Sequence, residues 1–464
     1  MSPSTAPPGH PKRWLILGVI CLAQLTVLLD NTVLNVAIPS LTRELHAATS
    51  DIQWMISAYS LVQSGLLLTA GSAADRYGRK KMLMAGLALF GVGSLTAGLA
   101  GSTGQLIAAR AGMGIGGALL MTTTLAVAMQ IFAPEEQPKA IGIWSAVNAL
   151  GFAAGPLIGG FLLDHFWWGA IFLINVPVAA LGLVAVAALV PESKNPRGDR
   201  PDLLGALLST IGMASLVYAI ISGPVHGWAS RHVLGSAAVA VLVLSLFAWW
   251  ESRIADPMLD LHFFRDRRFT GAVAGAVLLM FGIGGALFLL TQHLQFVLGY
   301  APLEAGLRTA PLALTVVLLN FSGLSAKWSG RLGTPVSIAL GMVLMAAGLV
   351  AIAELDAGGY GGTLLGLLLI GAGCAVANPA MAHAIMSAIP PERAGVGAGI
   401  NGTLAEFGNG LGVAVLGAVL SSSVASGESL SAGLGAGQLV GAVAVLVGGL
   451  VAAGLLKRAE RRIA

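Results

Sequence analysis

The chain has 464 residues, of which 56% are hydrophobic and 10% charged, with a mean hydropathy of +0.84. A soluble domain carries about a quarter charged residues, so this composition excludes a water-soluble globular protein and calls for lipid. The net charge of +4 is small, and its placement along the chain, taken up below, requires no nucleic-acid partner. The 63 glycines suit a bundle of closely packed membrane helices. Cys21 and Cys374 lie far apart in apolar stretches and read as small buried hydrophobes, with neither a disulfide nor a metal expected.

A helix needs about 20 apolar residues to cross the hydrocarbon core. The start, Met1 to His10, is polar and Pro-rich, and the apolar run that follows is too long for a signal peptide, so it serves as a first span. Spans are expected near 14–36, 52–73, 82–100, 104–131, 138–163, 168–190 and 203–222. They continue near 233–250, 269–298, 303–325, 335–354, 361–388, 394–420 and 435–456. The predicted fold is an all-α polytopic membrane protein with fourteen spans, and an even count puts both termini on one side.

One set of loops holds Lys12, Arg13, Arg76, Arg79, Lys80, Lys81, Lys139, Lys194, Arg197, Arg200 and Arg253. It also holds Arg265, Arg267, Arg268, Lys327, Arg331, Arg393, Lys457, Arg458, Arg461 and Arg462, which makes 21 of the 25 Lys and Arg residues. The opposite loops hold Arg43, Arg231 and Arg308. Positive loops stay inside, so both termini are expected in the cytoplasm, with the protein multi-pass in the cytoplasmic (inner) membrane.

The layout divides into a six-helix half at 1–190, inserted helices 7 and 8 with their basic connections at 191–268, and a second six-helix half at 269–464. A weak echo relates the halves, because Gly71-Ser-Ala-Ala-Asp-Arg-Tyr-Gly-Arg79 follows the second span and Gly323-Leu-Ser-Ala-Lys-Trp-Ser-Gly-Arg331 follows the tenth. Pseudo-repeats of this type mark alternating-access transporters.

Charges inside the bilayer cost from about 3 to more than 10 kcal/mol, so each needs a reason. Asp30 lies in Val27-Leu-Leu-Asp-Asn-Thr-Val-Leu-Asn35, Arg110 early in the fourth span, and Glu406 in the middle of the thirteenth. A carboxyl whose hydration or distance from a guanidinium alternates can take a proton on one side and release it on the other. The alternative is a static Asp30–Arg110 pair fixing two helices together. Glu406 has the same two readings: a proton or cationic-cargo site, or a structural acid bonded to a neighbouring helix through Asn378 or Asn320. Asn31, Gln292, Gln295, Asn320, Asn378 and Glu406 are the candidates to line a substrate cavity. His293 and His383 read better as satisfied structural groups.

In Gly151-Phe-Ala-Ala-Gly-Pro-Leu-Ile-Gly-Gly160, the glycines Gly151, Gly155 and Gly159 recur every four residues, giving a helix stripe that a neighbour can approach at backbone distance. Pro156 adds a local kink. No GxxxxGK[ST] loop is present to hold ATP, and no nucleophile motif, HExxH or CxxC occurs, so an ATP-driven pump and an enzyme are both disfavoured.

Taken together, these motifs resemble the fourteen-helix drug:proton antiporter family of the major facilitator superfamily. Leu29-Asp-Asn-Thr-Val-Leu-Asn-Val-Ala-Ile-Pro39 is similar to the family's first-helix signature, with Asp30 at its acidic position. Gly71 to Lys80 resembles the superfamily's loop motif, in which Asp75 and the cations Arg76 and Arg79, framed by Gly71 and Gly78, latch the halves in one state. Leu106 to Gly117 resembles the fourth-helix motif whose arginine is linked to proton transfer, and the stretch with Gly151, Gly155, Pro156, Gly159 and Gly160 resembles the antiport motif. Gln295 to Gly306 and Asn401 to Gly412 resemble later signatures of the family. Lys327 stands where the first-half loop has Asp75, so a symmetrical latch is not expected.

The resemblance implies the major facilitator fold and export of a hydrophobic, drug-like small molecule, cationic or neutral, in exchange for protons. Asp30, Arg110 and Glu406 would be the coupling residues. Partners would be substrate, protons and the lipid bilayer, with no nucleic acid. No cofactor is expected, the proton gradient supplying the work, and a monomer is expected. The rival readings are a dedicated exporter of one metabolite or antibiotic, proton-coupled uptake, and a non-transporting membrane sensor or scaffold.

Overall fold

In hydrocarbon every backbone N–H and C=O must find its partner within the protein, and helices satisfy that locally. The computed structural model describes residues 11–133, 135–194, 200–254, 257–354, 359–389 and 394–460. Among them the chain is helical with no strand. The first half comprises α1 (Arg13–Glu44), α2 (Thr49–Tyr77), α3 (Arg79–Gly98), α4 (Thr103–Ile131), α5 (Gln137–His165), α6 (Ala170–Leu173) and α7 (Asn175–Leu189). A hairpin follows, α8 (Leu203–His226) and α9 (Arg231–Glu251). The second half comprises α10 (Arg267–Gln292), α11 (Pro302–Phe321), α12 (Leu324–Leu332), α13 (Thr334–Glu354), α14 (Tyr360–Ser387), α15 (Ala394–Ala425) and α16 (Leu430–Glu460).

Among the described residues, twelve helical segments are long and apolar enough to cross a membrane by length and composition. α2 and α5, each of 29 residues, run among them, so all fourteen expected spans have helical counterparts. α2 is less apolar because it carries the buried polar residues Gln53, Ser57, Ser60, Gln63 and Ser64.

Three expected spans differ in detail. The sixth breaks at Ile174 into α6 and α7, where Pro177 has no N–H to give the carbonyl of Leu173. The ninth ends in a π-helical turn, His293–Val297. The tenth stops at Phe321, because Gly323 takes a left-handed conformation (φ +70°) and α12 starts a new direction. Of the charges counted for topology, Arg197, Arg393, Arg461 and Arg462 lie outside the described residues.

In the first half, α1 packs on α5 and α4, while α4 also packs on α2 and α3. In the second, α10 packs on α15 and α16, and α13 packs on α14 and α16. The halves meet along two seams, α2 against α15 and α5 against α11, with smaller contacts from α1 to α10 and α11. The hairpin lies across the first seam, α8 touching both α2 and α15. There Met213, Val217 and Ile221 of α8 join Leu61 of α2 and Ala414 of α15 in one apolar cluster.

The glycine stripe divides its work between two partners. A Cβ on Gly151 would lie 2.9 Å from Leu28, one on Gly155 2.8 Å from Thr32 Cβ, and one on Gly159 2.9 Å from Val33, so all three face α1 of the same half. Gly160 instead faces α11, where a Cβ would lie 2.7 Å from the Pro302 carbonyl oxygen. Gly306 of α11 returns the approach, since its Cβ would lie 2.8 Å from the Pro156 carbonyl carbon. The α5–α11 seam is therefore a backbone-to-backbone crossing at the face opposite the basic loops. On that same face Gln295 Nε2 donates to the Val36 carbonyl at 3.0 Å, tying the second half to α1. Toward the basic face the α2–α15 seam continues, with Leu67 and Leu68 against Gly402 and Gly399, while Asn320 and Asn378 are exposed. The halves are therefore in close backbone contact at the face opposite the basic loops.

Candidate proton and substrate site

Asp30 sits mid-α1 at 3% exposure and Arg110 on α4 at 1%, and Arg110 Nη1 donates to Asp30 Oδ2. The guanidinium is held from two further directions. Its Nε donates to the Met55 carbonyl at 3.0 Å, and its carbon lies 4.4 Å from the centre of the Tyr59 ring. A buried ion pair offsets its desolvation only with good geometry and extra hydrogen bonds, and the α2 carbonyl and ring face supply that support here.

The residue beside Asp30 points the other way. Asn31 Nδ2 donates to Glu406 Oε1 at 3.5 Å, across from α1 to α15 of the second half. Glu406 is 8% exposed; its Oε2 has no hydrogen-bond partner of normal geometry, with the Ser60 hydroxyl beside it. Ser60 accepts from Asn409 Nδ2 at 3.3 Å. Two adjacent residues of α1 thus address a guanidinium of their own half and a carboxyl of the other.

Several sequence candidates lie apart from this centre. Neither Asn378 nor Asn320 bonds Glu406, contrary to the structural reading of that acid; Asn31 does, and Asn320 accepts from Ser325 at 2.8 Å. Gln292 is buried and donates to the Phe288 carbonyl of its own helix at 3.0 Å, and Gln295 serves the outer tie to Val36. His293 lines a separate cavity of about 310 Å³ with Gln438 and Glu354 at the opposite face.

Sequence reading missed two polar assemblies. One joins Gln24, Thr124, Trp144 and Asn148. Gln24 Nε2 donates to Asn148 Oδ1 at 3.1 Å, and Thr124 Oγ1 donates to Gln24 Oε1 at 3.0 Å. Trp144 Nε1 donates to Thr124 Oγ1 at 3.4 Å, closing a ring of bonds across α1, α4 and α5. The other is the α2–α15 seam, where Gln53 donates to the Ala414 carbonyl at 2.9 Å, Ser57 to Gly410 at 3.3 Å and Ser64 to Thr403 at 2.9 Å. Gln53, Ser57, Ser60 and Ser64 recur at helical spacing, and that polar stripe was the available signal.

At the basic face the loop motif acts within the first half. Asp75 pairs with Arg79 at 2.8 Å, and Arg79 Nη1 reaches the Ala126 carbonyl of α4 at 3.4 Å. Asp75 is thus engaged in an i,i+4 ion pair, with its side chain 49% exposed. Arg79 N donates to the Ser193 carbonyl at 2.9 Å, so the motif also holds the segment after α7. Gly78 makes the turn at φ +120°, and a Cβ there would lie 2.5 Å from Glu192 Oε1. Gly78→Ala is expected to destabilise the protein by about 1–3 kcal/mol through backbone strain. Thermal unfolding in detergent should show a lower Tm than wild type, and an unchanged Tm would contradict this reading.

Two packed helical halves, with a buried ion pair in the first and Glu406 meeting α1 across their junction, make the architecture of a membrane transporter. The Major Facilitator Superfamily profile matches residues 20–413. The multidrug resistance protein Stp of Mycobacterium tuberculosis is 37% identical over 396 residues, covering 85% of this chain and 73% of its own. The tetracenomycin C resistance and export protein of Streptomyces glaucescens is 35% identical over 425 residues, covering 91% and 78%. The methyl viologen resistance protein SmvA of Salmonella typhimurium is 37% identical over 435 residues, covering 92% and 86%. Among solved structures, a peptide transporter POT with bound sulfate superposes with a TM-score of 0.71 at 17% identity, covering 97% and 96% of the two chains. The chain belongs to the Major Facilitator Superfamily.

Proposed function

We propose that the protein is a proton-coupled antiporter that exports hydrophobic, drug-like molecules across the cytoplasmic membrane by alternating access. The observation that carries this reading is the pair of neighbours on α1, Asp30 bound to Arg110 within the first half and Asn31 bound to Glu406 of the second. A proton on Asp30 removes the charge that holds Arg110, and a charge change at Glu406 alters the bond between the halves. Protonation on one side of the membrane thus changes how the halves are joined. The relatives are named for resistance to, or export of, chemically unlike compounds, which supports a broad cargo range.

In this reading Asp30 is the principal proton carrier, Arg110 its modulator, and Glu406 a site for protons or cationic cargo. The basic face is cytoplasmic, with both termini there, and the halves part toward that face to load cargo from inside. The outer closure is the crossing of Gly160 and Pro156 with Leu303 and Gly306. The residues 1–190 and 269–464 move as the two halves, with 191–268 inserted between them. The protein works as a monomer without a cofactor, on the proton gradient.

The test uses purified protein in liposomes with an imposed pH gradient and an internal pH dye. Lipophilic cations and neutral lipophiles added in turn should trigger proton flux. Glu406→Gln should lower the flux driven by cations about tenfold or more, the worth of one charge-assisted contact, and leave neutral cargo within about twofold. No flux with compounds that demonstrably bind would overturn the antiport reading. Equal losses for cationic and neutral cargo would remove Glu406 as the cation site.

A further inference from the structure

Away from Asp30 and Glu406, two acids meet at the base of the hairpin on the basic face. Asp202 is the N-cap of α8 and 6% exposed; Glu251 is the last residue of α9 and 3% exposed. In an antiparallel hairpin the start of one helix lies level with the end of the other, so the two carboxyls face each other. Asp202 Oδ1 accepts from Gly205 N at 2.9 Å, and its two oxygens accept the Trp250 indole N–H at 3.1 and 3.0 Å. Glu251 Oε2 accepts from Leu259 N at 2.9 Å. Glu251 Oε1 is buried without a donor. It lies beside Asp202 over Gly205, where a Cβ would be 2.6 Å from Oε1 and 2.9 Å from Asp202 Cγ.

The two carboxyls are therefore close neighbours, both buried over Gly205. Two carboxylates offer only acceptors, so these neighbours can hydrogen-bond to each other only when one of them carries a proton. The charged group acting on Glu251 is Asp202. From α2 comes the neutral Thr69, whose hydroxyl donates to the Asp202 carbonyl at 3.3 Å. From the connection to α10 come Met258 and Leu259, with Asp260 and His262 further out and paired to each other at 2.9 Å. Arg253, two residues beyond Glu251, is exposed and lies 5.9 Å from the Trp249 ring. Among the described residues no group of three or more metal-ligating side chains forms here.

We propose that Asp202 and Glu251 share one proton, forming a proton-binding site separate from the central acids that clasps the hairpin to the segment leading into α10. Losing the proton leaves two bare, buried carboxylates in contact, and their repulsion opens the Leu259 bond. Thr69 of α2 also donates to Met258 Sδ at 3.6 Å, so an open clasp frees the first half from the connection to the second. The closed clasp binds a proton that the open form does not, so its stability falls as pH rises. That the clasp reports cytoplasmic pH rests on the antiport reading; the shared proton itself does not.

Infrared difference spectroscopy of the purified full chain, titrated by pH, tests the shared proton without any transport. A protonated-carboxyl band should persist above the ordinary carboxyl range, disappear in alkali, and be missing in both Glu251→Gln and Asp202→Asn. Hydrogen exchange provides the second readout. After correction for intrinsic rates, protection of the segment 257–266 should fall by up to about tenfold per pH unit in wild type and become independent of pH in Glu251→Gln. A band that both variants retain, or protection in wild type that does not respond to pH, overturns the proposal. Absent compound-driven proton flux together with an intact band and exchange response would sink the antiporter and leave the clasp standing.

Discussion

Asp30→Asn abolishes the concentration gradient that the protein can sustain, while downhill equilibration of cargo survives. One proton moving down 100 mV supplies about 2.3 kcal/mol. That is a cargo ratio of roughly 50-fold per proton exchanged, and the variant should drop to a ratio near one. The chemical reason is that Asn has no proton to gain or lose in the working range, yet its carbonyl oxygen still accepts from Arg110. Arg110 also keeps the Met55 carbonyl and the Tyr59 face. Breaking a buried ion pair costs about 3–5 kcal/mol when one charge is left bare, so these remaining contacts decide whether the variant folds. Asp30→Glu provides the control: it retains the titratable group and should keep part of the uphill activity. The measurement is cargo accumulation in vesicles at a fixed proton gradient, with Tm as the check on folding. A wild-type gradient from Asp30→Asn would remove Asp30 from the coupling mechanism.

The second large effect concerns shape rather than charge. Gly306→Val puts a branched side chain where even a Cβ would lie 2.8 Å from the Pro156 carbonyl carbon. Both sides of that crossing are backbone, so neither yields as a flexible side chain would. Overpacking of this kind costs about 1–3 kcal/mol. The cost falls on the arrangement closed at the opposite face and is absent where α5 and α11 part. The equilibrium should therefore move toward the outward-open arrangement by roughly 5- to 150-fold. Distances between spin labels placed on α5 and α11 near that face should lengthen in the variant. An unchanged distance distribution, in a variant that folds, would show that the crossing is not the outer closure. Gly155→Val makes a useful contrast, since Gly155 faces Thr32 of the same half. It should lower stability without moving the labels.

Much of the architecture was legible in the chain because membrane proteins obey few rules. Length of apolar run, absence of charge and the one-sided placement of Lys and Arg lead to the helices and their common direction without reference to packing. The three buried charges were legible for the same reason: Asp30, Arg110 and Glu406 stand out against an apolar background that makes every charge costly. Asp30 and Arg110 are in contact, as both the coupling and the static reading of the pair require in at least one state. Pro177 and Gly323 also mark helix breaks, but the long apolar runs around them hid those signals.

What the sequence could not decide was which face of each helix meets which neighbour. Asn31 follows Asp30 by one residue, a rotation of about 100° on a helix, and only the position of α15 makes that rotation aim it at Glu406. Asn320 and Asn378 looked equivalent to Asn31 by composition, yet both are exposed and neither bonds Glu406. Gln295 looked like a cavity group and proved to be a tie to the Val36 carbonyl. The glycine stripe revealed a close approach, but only the assembled bundle shows that three glycines serve α1 and the fourth serves α11. Asp202 and Glu251 are 49 positions apart near the ends of two helices; a hairpin fold, not a motif, brings them together. The chain alone thus determined the spans, their likeness to a transporter family and the costly charges, since these follow from transfer into lipid. Tertiary structure decided the partners, because contact depends on helix rotation and crossing, to which hydropathy is blind.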